Sequence, residues 1–419
     1  MADIRPFRAY RATPDKVHLV ATRAVDNYPK EDLRHKLASN PFSFLHVINP
    51  DFSDGKRTKP GSVERLKKIK RKLNDFIKEE IFVQEEKPAF YLYQQFKDGN
   101  VYTGIIGCSS VADYDNGIIK IHEHTLTDRE EKLKQYLEIC DFNAEPVLFA
   151  YENLPIVDDV VNVTMLRSPA YDFTTTDRVR HKLWVISKTK TVNVLVEEFK
   201  KLKAVYIADG HHRSASSSKL AKSLGENNSE HTGNENYNFY LGIFFPENQL
   251  KIFDFNRVVT DTNGLSEKEL INKIRENFKV TPHLQNEYRP ELPHKFSMYY
   301  NGCWYELAAK PSIIKSKDPV KKLDASILSD YVLEPILGIK DLKTDKRISF
   351  VPGIKGMKEL KRLVDIGKFN LAFGLYPVRM PELKNIADTG SIMPPKTTWV
   401  EPKMRSGLVI YDLDFAKDN

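Results

Sequence analysis

The sequence predicts a mixed α+β protein built in two domains, and three observations carry that reading. First, 419 residues exceed one small domain, since domains run to roughly 100–200 residues. Second, short β-rich apolar runs alternate with segments whose apolar residues recur at helical spacing, which points to helices packed on sheets. Third, the pattern changes after Asp261. The expected division is 1–262 and 263–419.

Taken in order, Val17–Ala21 reads as a short strand, Lys30–Ala38 as a helix and Phe44–Ile48 as a strand closed by Asn49-Pro50. Val63, Leu66, Ile69, Leu73, Phe76 and Ile77 recur at helical spacing around the basic run Lys67 to Lys72, predicting an amphipathic helix with a solvated basic face. Pro88–Phe96 and Val101–Ile106 flank Asp98-Gly99 and read as a hairpin. Ile118–Ile121 is a short apolar run, Asp128 to Tyr136 looks helical, and Pro146–Tyr151 and Lys182–Ile186 read as strands. Thr191–Leu202 reads as a helix and Ala204–Ile207 as a buried-type strand, followed by a helix from Ser214 through Leu224. After a polar loop from Asn228 to Asn236, Phe239–Phe245 and Leu250–Val259 are expected to pair. Beyond Asp261, helices at Leu265–Phe278, Leu323–Leu337, Met357–Ile366 and Pro381–Asp388 alternate with strands at Phe296–Tyr300, Trp304–Leu307, Ile348–Val351 and Asn370–Leu375.

The composition, 41% hydrophobic and 29% charged, is that of a globular protein. No run of ~18 apolar residues suggests a membrane span, and Met1 to Tyr10 is polar, without the apolar core of a signal peptide. Three scattered cysteines suit a reducing, cytoplasmic setting. A net charge of +7 permits anionic ligands without demanding nucleic acid. Neither a P-loop nor a dinucleotide fingerprint is present.

The densest chemistry is Asp209-Gly210-His211-His212-Arg213, set between a buried-type strand and a helix start. Backbone N–H groups and the positive end of a helix dipole converge there. Gly210 relieves the turn, and Arg213 offers a guanidinium fork for phosphate or carboxylate. His211 and His212 are protonatable donors, Asp209 can orient a histidine or hold a hydrated cation, and Ser214, Ser216, Ser217 and Ser218 add hydroxyls. The same residues, taken singly, suit a helix cap or a satisfied core histidine.

Three further places carry candidates. In an extended chain His122 and His124 of His122-Glu123-His124-Thr125 share a face. They could bind zinc with Asp209 or His211, although contacts of Glu123 and His124 with substrate or phosphate are favoured over a metal. Near the C-terminus, Met393-Pro394-Pro395-Lys396 and Pro402-Lys403 form a Pro-stiffened, basic stretch that could close on an anion or simply pack. Asp26 is either a candidate base or a helix-start residue.

The order of Ile4-Arg5-Pro6-Phe7, Asn40-Pro41, Ser43 to His46, His122 to Thr125, His181 with Leu183-Trp184 and Ile207 to Arg213 resembles domain-of-unknown-function family 1015 of bacteria and archaea. Phe255-Asn256-Arg257, Leu323-Asp324, Met393 to Lys396, Pro402-Lys403 and Ser406 to Leu408 extend the likeness nearly end to end. That family is similar to the free-serine kinases of the ParB/sulfiredoxin-like superfamily. The resemblance implies a ParB/sulfiredoxin-like nucleotide-binding core with insertions in 1–262, plus a C-terminal α/β domain. It also implies a small-molecule kinase using ATP or ADP with Mg²⁺ on a hydroxyl compound, free L-serine first, with nucleotide phosphates bound by Asp209 to Arg213. The implied base is Asp26, although this chain reads Arg23-Ala24-Val25-Asp26 where the family usually has Pro-Pro-Tyr-Asp. Asp26 or Glu123 would accept the hydroxyl proton. The rival readings are a non-catalytic nucleotide-binding regulatory protein and a metal-dependent hydrolase using His122, His124, His211 and His212.

Overall fold

The computed structural model describes residues 1–284 and 287–413, with the side chains of Asp26, Ser53 and Asp54 outside the description. The chain divides into two compact units, each mixed α+β. The first comprises residues 1–120, 124–250 and 402–413; the second comprises 121–123 and 251–401. The change of unit thus comes before Lys251–Val259 rather than after it, and the chain re-enters the first unit from Pro402.

Among the described residues, nine strands form the first unit's main sheet. Its order is Ile119–Lys120, Val205–Asp209, Val147–Tyr151, Phe239–Pro246, Asn100–Ser110, Phe90–Lys97, Arg180–Ile186 and Tyr171–Thr174, with Ile4–Arg5 also on Asn100–Ser110. Phe90–Lys97 and Asn100–Ser110 are antiparallel about the expected Asp98-Gly99 turn, with Lys97 opposite Asn100. Val147–Tyr151 runs antiparallel to Val205–Asp209 and parallel to Phe239–Pro246. All eight residues of Phe239–Pro246 are buried, as expected for a strand with neighbours on both edges and layers on both faces.

The basic helix spans Val63–Lys78, and the Ser62 hydroxyl accepts from the Arg65 N–H at its start. It buries Leu66, Ile69, Leu73 and Phe76. Part of its charge is held locally: Arg65 and Lys68 lie 2.7 and 3.3 Å from the Asp51 carboxylate. The other expected helices of this unit are Lys30–Ser39, Thr127–Cys140, Thr189–Lys200 and His211–Asn227.

In the first unit three expectations about individual strands fail. Val17–Val20 and Leu45–Ile48 are single helical turns, not strands. Each is too short for periodicity to declare itself, and the second begins where the Ser43 hydroxyl accepts the Leu45 N–H at 3.3 Å. Phe239–Pro246 does not pair with Lys251–Val259, because both its edges are already taken by Asn100–Ser110 and Val147–Tyr151.

In the second unit Lys251–Val259 pairs first with Thr398–Glu401 and then with Ile348–Pro352 and Leu371–Gly374. The sheet continues through Lys295–Tyr300 and Cys303–Ala309 to Phe278–His283. Consecutive residues serve opposite faces, as a period of two requires. Val259 and Met298 join the cluster containing Leu270 and Ile274 of helix Glu267–Asn277, while Val258 and Tyr299 join Met357 and Leu360 of helix Gly356–Asp365. The expected Leu323–Leu337 helix is an α-turn, Asp324–Leu328, running into a π-helical turn, Ser329–Leu333.

Candidate functional site

The sequence Ala208 to Arg213 folds into one continuous junction. Strand Val205–Asp209 carries an irregularity in its pairing between Ile207 and Asp209, and the helix His211–Asn227 begins after a single residue, Gly210. Gly210 has φ +110°, which L side chains rarely adopt. A Cβ there would also lie 2.9 Å from both Nε and Nη2 of Arg213. The Gly210 carbonyl accepts the N–H groups of Arg213 and Ser214 at 2.9 and 3.2 Å, which closes the first turn. Gly210, at the N-cap position, has no side chain with which to cap this N-terminus, so the helix presents its positive end at the junction.

Asp209 ends the strand with a partly exposed carboxylate. Its Oδ2 lies 3.3 Å from Arg213 Nη2 and 3.5 Å from Lys403 Nζ. Arg213 also donates through Nη1 to the Pro146 carbonyl at 2.6 Å, tying the helix to the chain just before the neighbouring strand. The guanidinium therefore organises the turn as well as presenting charge. Its backbone carbonyl accepts the hydroxyls of Ser216 and Ser217 at 3.0 and 2.9 Å, so these two serines serve the helix.

His211 is buried and His212 half-buried. Burial, with the charge of Arg129 adding to it, holds the His212 imidazole below its usual value against the opposing pull of Glu130. Its Nδ1 has no hydrogen-bond partner among the described residues. Ser214 is fully buried. Beside the helix, Lys219 lies 2.9 Å from Glu130 and 2.6 Å from Glu131, and Glu130 accepts from the Thr125 hydroxyl.

The other candidates are distributed between the units. His124 is exposed and belongs to the first unit. His122 is buried and Glu123 exposed, both assigned to the second. His122 and His124 lie beyond the strand Ile119–Lys120. Among the described residues no group of three or more His, Cys, Asp or Glu side chains is disposed to hold a metal ion. Lys403 reaches Asp209 in the first unit, whereas Lys396 is exposed in the second with Nζ 5.5 Å from the Phe255 ring centroid. The backbone of Asp26 lies in the 3₁₀ turn Val25–Asn27, between helical segments rather than after a strand; its side chain lies outside the described residues.

Sequence reasoning missed a buried cluster in the first unit. Arg405, 6% exposed, binds both oxygens of Asp177 at 2.8 and 2.7 Å and donates through Nε to His181 Nε2 at 3.3 Å. With Nε2 accepting, the imidazole carries its proton on Nδ1 and donates to the Tyr93 hydroxyl at 2.7 Å, which in turn donates to Gln95 at 3.0 Å. Burial, and then Arg405, push His181 down to about 3. Burial opposes ionisation of Asp177, yet the bonds from Thr175 and Arg405 bring it down to about 2. Only the family-like His181 and the neighbouring Ser406-Gly407 flagged this region in the sequence.

The described residues contain no helix long and apolar enough to cross a membrane. The fold is similar to that of a free serine kinase solved in complex with AMP, at 12% identity and a TM-score of 0.36, covering 71% of this chain and 87% of that one. It is also similar to C-terminally truncated SbnI from Staphylococcus aureus, at 14% identity and a TM-score of 0.37, covering 71% and 82%. A conserved hypothetical protein from Pyrococcus furiosus is similar at 14% identity and a TM-score of 0.33, covering 71% and 90%. No curated protein matches the sequence. Residues 4–326 match the family described as Protein of unknown function (DUF1015), and the chain belongs to that family.

Proposed function

We propose that this protein is a small-molecule kinase that binds ATP or ADP at the Asp209–Arg213 turn and transfers a phosphoryl group to a small hydroxyl compound, with free L-serine the first candidate. The observation that carries the reading is the helix start behind Gly210, flanked by Arg213 and Lys403. Phosphoryl transfer asks the protein mainly to position the acceptor and to stabilise charge on the transferred group. Backbone N–H groups at a helix start, a guanidinium and an ammonium suit the second task.

Asp209 is the carboxylate at this turn, which fits Mg²⁺, a cation usually bound through one or two carboxylates together with nucleotide phosphates. When bound, Mg²⁺ would neutralise phosphate charge. The chain's own part is to release Arg213 Nη2 and Lys403 Nζ from Asp209 toward the phosphates while Arg213 Nη1 stays on the Pro146 carbonyl. His211 and Ser214 are both buried at the helix start, and His212 adds a hydrogen-bonding imidazole. Asp26 is proposed to accept the acceptor's hydroxyl proton. The three cysteines are free thiols, and a reducing, cytoplasmic setting is part of the same proposal.

Purified protein with ATP or ADP, Mg²⁺ and L-serine should yield phosphoserine, read by mass spectrometry or phosphorus NMR. Asp26→Asn should cut turnover ~10²-fold or more while nucleotide still binds. If neither serine nor any other small alcohol is phosphorylated, the kinase reading fails. Nucleotide binding without turnover would leave a non-catalytic binding protein.

A further inference from the structure

The second unit holds a cavity of about 230 Å³ lined by His294, Lys322, Asp324, Tyr376, Arg379 and Glu382, among others. It is below the roughly 300 Å³ at which sites for drug-sized ligands begin, which suits a small guest. Asp324 opens the helix Asp324–Leu328 and is 8% exposed. Its Oδ1 takes two bonds from one residue, the His294 backbone N–H at 2.8 Å and His294 Nδ1 at 3.1 Å. His294 holds φ +66°, an uncommon conformation for a side-chain-bearing residue. Asp324 Oδ2 is buried and has no hydrogen-bond partner among the described residues. A buried carboxylate oxygen without a donor is costly, and native proteins seldom leave one unfilled.

The cavity's charges are arranged by sign. Arg379 is bound to Glu382 at 2.6 Å, as part of the cap of helix Met380–Asp388. Lys322 is exposed and forms no ion pair among the described residues. One wall thus offers an acceptor that lacks a donor, Asp324 Oδ2, and the rim offers an ammonium that lacks an anion. Burial pushes the Asp324 carboxyl up, the bonds from His294 oppose this, and the charge of Glu382 adds to the rise; a cationic guest would add to the opposing side.

We infer that this cavity is a binding site for a small zwitterion, its ammonium donating to Asp324 Oδ2 and its anionic group meeting Lys322. The assignment is independent of the nucleotide reading. Calorimetry on the full chain with glycine, L-serine and L-glutamate, set beside acetate and methylammonium, tests it. At least one amino acid should bind one to one, ~10-fold or more tighter than either single-charge probe. Asp324→Asn should weaken that binding ~10-fold or more, and Lys322→Ala, at an exposed position, should weaken it severalfold without disturbing the fold. Arg213→Ala should leave it unchanged. No binding of any amino acid at about 10 mM, equal binding by wild type and both second-unit variants, or loss in Arg213→Ala alone would overturn the assignment.

Discussion

The Lys403 ammonium lies 3.5 Å from the Asp209 carboxylate, so a residue of the returning C-terminal segment meets the last residue of the strand that delivers the candidate phosphate turn. Arg213 approaches the same oxygen at 3.3 Å. Two cations share one partly exposed carboxylate, so an incoming phosphate would have to compete with Asp209 for both.

Gly210→Ala should damage the turn more than an ordinary surface change. The substitution forces an L residue to φ +110° and drives its Cβ to 2.9 Å from Arg213. Strain of this kind costs about 1–3 kcal/mol, to be read as a lower denaturation midpoint. Nucleotide affinity should fall in parallel, because Arg213 is the group displaced. A variant with unchanged stability and affinity would show that the turn accommodates a side chain.

Arg213→Lys separates charge from geometry. Lysine keeps the positive charge but cannot reach the Pro146 carbonyl and Asp209 together as the fork does. Arg213→Ala should lose about 1.5–3 kcal/mol of nucleotide binding, and Arg213→Lys should recover only part of it. Full recovery would mean that charge alone matters.

His181 predicts an acid-sensitive fold. Its pKa is about 3 when folded, against 6.5 in the unfolded chain, so between those values the unfolded state binds the extra proton. Stability from this group is complete above pH 6.5 and falls as pH drops toward 3, by at most about 1.4 kcal/mol per pH unit. Asp177, with a folded pKa of about 2 against 3.8, contributes above pH 3.8 and loses that contribution between 3.8 and 2. His181→Gln should flatten the pH dependence of the urea midpoint between pH 6.5 and 4 relative to wild type. Parallel curves for the two proteins would remove His181 from the account.

Much of this architecture was legible because it is local. Strand Val205–Asp209, the Gly210 turn and the helix after it are written as a buried run, a glycine and an immediate helix pattern. Leu66, Ile69, Leu73 and Phe76 repeat often enough to declare their helix. The pairing of Arg405 with Asp177, and of Lys403 with Asp209, was not legible, because partners so distant in the chain leave no periodic trace. Leu45, His46 and Val47 are all buried, so neither a strand's alternation nor a helix's stripe marks them. Lys396 and Lys403 read as one basic loop, yet strand Thr398–Glu401 stands between them and joins the second unit's sheet.

The central claim is that the Asp209–Arg213 turn binds nucleotide phosphate, and one titration tests it most directly. Calorimetry of the full chain with ADP or ATP and Mg²⁺, alongside Arg213→Ala, should show one-to-one binding that the variant weakens by ~10-fold or more. Equal affinity for wild type and Arg213→Ala, or no nucleotide binding by the wild type, would contradict it.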